Sequence, residues 1–280
     1  MSEITLAVRA KINLSLGIRG VDNRGYHDLD MLLSSVEDIY DTIRVYDSES
    51  VSVTMDGVAG DTSNTAYKAL DIIRREFSVT MSADITKGVP FSAGLGGSSC
   101  DAAGVFCAFQ KLHGVRLESL TEYADMVGSD VAFMMRGGAA ISRGQGSELT
   151  FVDIPSLDVV VIKAKGGSNT GEVFKKSDSM ATLVRIDNNL LVSKIRQGKE
   201  YASLMNNQLY SAASGLNSEI KRIFDECKKV TDYVVMSGSG SSIVVVIHNK
   251  SELRKIEEIA RSAEYYKVTR TTPYGMTLAR

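Results

Sequence analysis

Tryptophan is absent from these 280 residues, and proline occurs only three times, at positions 90, 155 and 273. With 44% hydrophobic and 24% charged residues, the composition excludes a disordered, collagenous or low-complexity chain. Cysteine is also scarce. Cys100, Cys107 and Cys227 form no C-x-x-C, which disfavours both a disulfide framework and a zinc site. Cys107 and Cys227 fall on helical patterns among apolar residues and read as small core hydrophobes. The three histidines, His27, His113 and His248, show no H-x-x-x-H spacing.

Long apolar runs are missing too: none approaches the roughly 18 residues of a spanning helix. The start, MSEITLAVRAKINL, is broken by Glu3, Arg9 and Lys11, which argues against a signal-peptide core. The expectation is a cytoplasmic protein without a membrane partner. An excess of one charge is lacking as well. The formal net charge of −2 gives no reason to expect a nucleic-acid partner. Residues 1–150 carry 13 Lys+Arg against 20 Asp+Glu, and residues 151–280 carry 19 against 14. Such a split fits two attracting lobes or a chance distribution of surface charge.

At roughly 150 residues per domain, the length suits one large or two modest domains. Alternation predicts strands over 4–8, 12–18, 42–46 and 51–55, with a reversal at Asp22-Asn23-Arg24-Gly25. A helix follows over about 63–77, capped by Thr62 or Ser63, then a strand near 80–85. Further helices are predicted over 99–112 and 117–127, with a short one opening at Gly128-Ser129-Asp130. After Pro155 the order becomes β–α–β–β–α–β, with strands over 158–164, 233–236, 243–248 and 266–271 and a helix over 251–263. That order predicts a split βαβ, ferredoxin-like sandwich with extra helices. The first half reads as α+β. The boundary is placed near 153, giving domains 1–153 and 154–280.

The sharpest chemical feature is Pro90-Phe91-Ser92-Ala93-Gly94-Leu95-Gly96-Gly97-Ser98-Ser99, set between a strand and a helix. Glycines let backbone N–H groups converge on an anion, and the helix adds its positive dipole end. Neither a P-loop nor a Rossmann fingerprint fits the spacing. Phosphate binding is favoured over a plain connector because Pro opens the stretch and Ser-Ser stands at the helix mouth. Ser237-Gly238-Ser239-Gly240-Ser241-Ser242 reads as a hairpin turn that could close over the same anion. Lys11 and Asn13 share one side of an early strand. Lys11 either snorkels at a strand end or reaches a phosphate or hydroxyl. Asp130 either caps its short helix or faces a substrate hydroxyl. Tyr26 and His27 either stack on and hydrogen-bond a heterocycle or pack their loop, and Phe174 reads first as core.

Together, the glycine loop, Ala10-Lys11-Ile12-Asn13-Leu14 and Gly238-Ser239-Gly240-Ser241 resemble the GHMP small-molecule kinases. Gly25-Tyr26-His27-Asp28-Leu29, Gly128-Ser129-Asp130-Val131 and Gly144-x-Gly146-x-Glu148-Leu149 extend the resemblance over nearly the whole length. It implies a two-lobed α+β fold: a first lobe of ribosomal-protein-S5 type and a ferredoxin-like second lobe. It implies ATP with Mg²⁺ as donor. The acceptor it implies is a small molecule, the C2 hydroxyl of a cytidine-diphosphate-linked methylerythritol in non-mevalonate isoprenoid biosynthesis. By the same resemblance, Lys11 and Asp130 are the catalytic pair and Pro90 to Cys100 the ATP phosphate loop. Tyr26 and Phe174 clamp cytosine, with His27 beside them and Asn13 near the substrate. A monomer and a homodimer both fit.

Three departures stand out, one being Gly166-Gly167-Ser168 ahead of the Phe174 helix, looser than the family pattern. Cys100 occupies the place of a second loop serine, and Asn206-Asn207-Gln208-Leu209 replaces an Asn-Asp-Leu stretch. The rival readings are a GHMP kinase acting on homoserine, mevalonate or a sugar, the related decarboxylase, and a nucleotide-binding regulator without turnover.

Overall fold

The computed structural model describes residues 2–23, 25–180 and 186–279. Arg24, third in the expected reversal, lies outside them.

Two long antiparallel strands, β1 (Glu3–Val21) and β2 (His27–Asp47), form the backbone of the first lobe. The two short strands expected over 4–8 and 12–18 are thus one. The polar interval between them is unbroken strand: the register shifts between Arg9 and Lys11, where β2 carries the extra residues, and again between Asn13 and Ser15 and between Ile18 and Gly20, where β1 does. A bulge inserts a residue, bends the strand and re-aims a side chain. On β1 the first such insertion follows Asn13 directly.

Around this hairpin stand β3 (Ser52–Met55), β4 (Val58–Ala59), β5 (Met81–Thr86), β6 (Ala139–Gly144) and β7 (Glu148–Val152). Helices α1 (Thr65–Phe77), α2 (Gly97–His113), α3 (Glu118–Val127) and α4 (Val131–Arg136) cover them. Every residue from Cys100 to Phe109 is buried, because α2 lies between the other helices and the sheet. A helix apolar on all sides is a core helix.

Asn64 caps α1, not Thr62 or Ser63: its side chain accepts from the backbone N–H of Ala66 at 2.8 Å. The Ser63 hydroxyl is already given to Asp61. Asn64→Ala is expected to cost about 1 kcal/mol of stability, read as a lower denaturant midpoint at unchanged slope.

The second half contains β8 (Asp158–Lys163), α5 (Thr170–Asp178), α6 (Asn188–Arg196), α7 (Tyr210–Ser214) and α8 (Ser218–Lys228). It continues through β9 (Val234–Met236), β10 (Ser242–Val246), α9 (Lys250–Ala260) and β11 (Tyr265–Thr272). The strand order β11-β8-β10-β9, antiparallel throughout, is the split βαβ arrangement expected from the sequence. A last strand absent from the sequence reading, β12 (Met276–Leu278), pairs with β1, while Thr271 and Thr272 of β11 pair with β2. Residue 153 falls in the irregular stretch between β7 and β8. Among the described residues no helix is long and apolar enough to cross a membrane.

Candidate active site

On β1, Lys11 meets Asp130, with Nζ 3.3 Å from the carboxylate Oδ2. At that separation and an effective dielectric of ~20, the attraction is about 5 kcal/mol before desolvation. Asp130 stands at the cap position of α4 yet makes no side-chain cap hydrogen bond. The capping alternative therefore fails, and the carboxylate, 19% exposed, is committed to Lys11 and to the cavity in front of it. The Lys11 backbone N–H donates to Leu95 O at 3.1 Å, fastening this strand to the glycine loop.

Asn13 is fully buried and stands behind Lys11, outside the cavity wall. Its Oδ1 accepts from Lys11 Nζ at 2.8 Å and from Gly238 N–H at 2.9 Å, and its Nδ2 reaches Met31 Sδ at 3.3 Å. The Nδ2 amide carries a second proton beyond the one aimed at Met31, a donor suited to a substrate hydroxyl. Asn13 orients the lysine.

The loop from Pro90 to Ser99 lines a cavity of about 570 Å³ together with Lys11, Asp130, Gly128, Ser129 and Phe174. Gly94 and Gly96 hold φ of +73° and +75°, the left-handed region that side chains disfavour. No side chain caps the start of α2, so its first amides remain available to an anion. The second glycine turn packs on the first: Ser237 Oγ donates to Gly94 O at 2.9 Å and Ser242 N–H to Ala93 O at 3.1 Å. Gly238 and Ser239 thereby join the cavity wall.

Cys100 does not. Its backbone N–H is spent on Gly96 O at 2.9 Å, and its thiol donates to Arg9 O at 3.3 Å inside the core. The expectation that it binds phosphate is corrected, and burial holds its pKa well above the ordinary thiol value. Burial likewise pushes Cys107 and Cys227 up to about 12, as core thiols require.

The departure at 206–209 also finds a physical role. Asn207 Nδ2 donates to Met236 O at 2.7 Å and Gly238 O at 2.8 Å, and Gln208 accepts from Ile18 N–H. This segment ties the second glycine turn to β1.

The far end of the site is aromatic. His27, at the start of β2, meets Phe174 of α5 with ring centroids 4.5 Å apart, and its Nε2 lies 2.7 Å from Asp178. Tyr26, 57% exposed, shares a second concavity of about 590 Å³ with His27, while Phe174 lines the main cavity. The structure thus joins His27 to Phe174 and sets Tyr26 with His27 on the second concavity.

A buried charge cluster escaped the sequence reading. Lys87 Nζ sits 2.5 Å from Asp41 Oδ2 and 3.0 Å from both Asp101 oxygens. Burial pushes the Asp101 carboxyl up to about 7, with Asp41 adding to the effect and Lys87 opposing it. Burial pulls Lys87 down, but Asp101 and Asp41 outweigh it and leave its pKa above the ordinary lysine value. The signal available was three charges set among apolar neighbours, such as Asp41 two residues from Ile39 and Ile43. Among the described residues, no group of three or more His, Cys, Asp or Glu side chains could hold a metal ion.

Comparison with known proteins adds names. Residues 64–138 match the GHMP kinases N terminal domain, and residues 190–267 match the GHMP kinases C terminal domain. The chain is 32% identical to a 4-diphosphocytidyl-2-C-methyl-D-erythritol kinase of Desulfitobacterium hafniense (strain Y51), covering 98% of each chain. It is 30% identical to the enzyme of that name from Bacillus cereus (strain B4264), over 88% of this chain and 89% of the relative. A crystal structure of 4-(cytidine 5'-diphospho)-2C-methyl-D-erythritol kinase superposes with a TM-score of 0.80 at 26% identity, covering 96% of this chain and 99% of that one. A homoserine kinase from Cytophaga hutchinsonii shares the fold, with a TM-score of 0.76 at 15% identity, over 100% of this chain and 98% of that one.

Proposed function

The chain belongs to the GHMP kinases, and from that premise we propose that it transfers the γ-phosphoryl group of ATP to the 2-hydroxyl of 4-diphosphocytidyl-2-C-methyl-D-erythritol. The relatives at 30–32% identity are named as kinases of that compound. The observation that carries the reading is the aromatic meeting at the far end of the cavity, where His27 from one lobe packs on Phe174 from the other. A nucleobase offers a flat face to such rings. Homoserine and mevalonate, which are acyclic, do not.

For phosphoryl transfer the protein mostly positions and neutralises. The glycine loop and the first turn of α2 receive the phosphates of ATP through backbone N–H groups. Lys11, steadied by Asn13, stands between that loop and Asp130, where its charge favours the oxygen that attacks. Asp130 accepts the hydroxyl proton as the new P–O bond forms and the bond to the β-phosphate oxygen breaks. Mg²⁺ needs few protein oxygens because retained waters and phosphates supply most of its shell, and the cavity-lining Ser98 and Ser99 would offer hydroxyls to it. When bound with ATP, the ion would neutralise charge on the phosphates. Second-lobe residues Gly238 and Ser239 close the same wall.

The clamp is tested by kinetics. Base–aromatic stacking is worth roughly 1–3 kcal/mol per base by alanine substitution. Tyr26→Ala and Phe174→Ala are therefore expected to raise KM for the cytidylyl acceptor about 5- to 150-fold, with KM for ATP little changed. CMP alone is expected to bind the wild type and to bind both variants less tightly. Unchanged acceptor KM in both variants returns the two rings to packing roles.

A further inference from the structure

The buried cluster at Lys87 has no part in the chemistry above, yet it reaches both ends of the glycine loop. Asp41, on β2, is fully buried and outside the cavity wall. Its Oδ1 accepts the backbone N–H groups of Gly88 at 2.8 Å and Val89 at 2.9 Å, immediately before Pro90. Its Oδ2 accepts Lys87 Nζ, which reaches on to Gly97 O at 3.3 Å, at the first residue of α2, and to Asp101, one turn further along it. One carboxylate thus governs the leading end of the loop directly and its trailing end through a single ammonium group.

A lysine beside a phosphate loop invites the reading of a phosphate ligand. The geometry opposes it. An ammonium has three N–H donors, and here they face the Asp41 carboxylate, the Asp101 carboxylate and the Gly97 carbonyl. Two carboxylates against one ammonium also give the cluster no net attraction for a triphosphate. Its contribution is shape. A loop held at both ends before the nucleotide arrives loses less conformational freedom on binding.

We propose that Asp41 is a positioning residue for ATP: through Lys87 and two backbone amides it fixes the glycine loop in its anion-receiving form. The proposal rests on reading residues 90–99 as the ATP loop. Asp41→Asn keeps the size but can serve either the amides or Lys87, not both. Its affinity for a nonhydrolysable ATP analogue, measured by calorimetry, is expected to fall about 10- to 100-fold. KM for the acceptor is expected to stay within about twofold, since the brace does not reach the aromatic end.

Removing one partner of a buried ion pair can unfold a protein, so Asp101→Asn provides a second variant that leaves the Lys87–Asp41 pair intact. In it, the amides of residues 92–99 are expected to exchange hydrogen faster than in wild type without nucleotide, and analogue affinity is expected to fall. A merely structural role would lower the melting temperature and leave loop exchange and analogue affinity alone. That result in a folded variant overturns the brace. A wild type that fails to bind the analogue removes the ATP reading of the loop, and the brace with it.

Discussion

Asp130→Asn is expected to lower kcat by about 10²- to 10⁴-fold in a protein that remains folded, the range typical for loss of a general base. The substitution preserves size and most hydrogen bonding, so the loss isolates the proton-accepting oxygen. The geometry makes the carboxylate hard to replace. It makes no cap hydrogen bond to α4, it lies 3.3 Å from Lys11, and it opens onto the cavity. Lys11→Met is expected to be comparably harmful, because the charge goes while the stem survives. Single-turnover assays on both variants separate chemistry from product release. Near-normal turnover in either folded variant would leave the pair as a structural ion pair.

Gly94→Ala is expected to abolish measurable binding of an ATP analogue. A Cβ at Gly94 would stand 2.2 Å from Ser237 O and 2.8 Å from Gly240 O. Those are backbone atoms of the second glycine turn, so neither side can yield without parting the two loops. Gly96→Val acts differently. Its Cβ would meet the Met134 methyl at 2.4 Å, which can swing aside, but the φ of +75° remains. Strain of that kind costs of order 1–3 kcal/mol, about 5- to 150-fold in affinity, before the branched side chain presses on Lys11, whose Cγ lies 3.3 Å from that Cβ. Calorimetry on both variants, with circular dichroism as the fold control, measures the loss. Unchanged affinity would make the loop a connector.

Much of the site was legible because it breaks local rules. Lys11 and Asn13 interrupt an apolar strand, glycines crowd one strand-to-helix turn, and Asp130 follows Gly128-Ser129. What escaped depends on distance in sequence. Lys87 meets Asp41 across 46 positions and Asp101 across 14, and no periodicity encodes such a meeting. The joining of two predicted strands into β1 escaped because Arg9 and Lys11 interrupt the apolar pattern as a turn would. Thr62, Ser63 and Asn64 can all cap a helix, and only the Ser63–Asp61 bond and the Asn64 contacts decide among them. β12 is three residues long and follows Pro273 and Gly275, too short to show alternation. Cys100 follows the loop in sequence, but its side chain is turned into the core by the first turn of α2.

The most direct test of the account is a competition among acceptors with ATP, the products identified by phosphorus NMR and mass. The account predicts one product from 4-diphosphocytidyl-2-C-methyl-D-erythritol, bearing a new phosphomonoester on its 2-hydroxyl, with homoserine and mevalonate left unphosphorylated. Phosphorylation of homoserine or mevalonate with no turnover of the cytidylyl compound would contradict it.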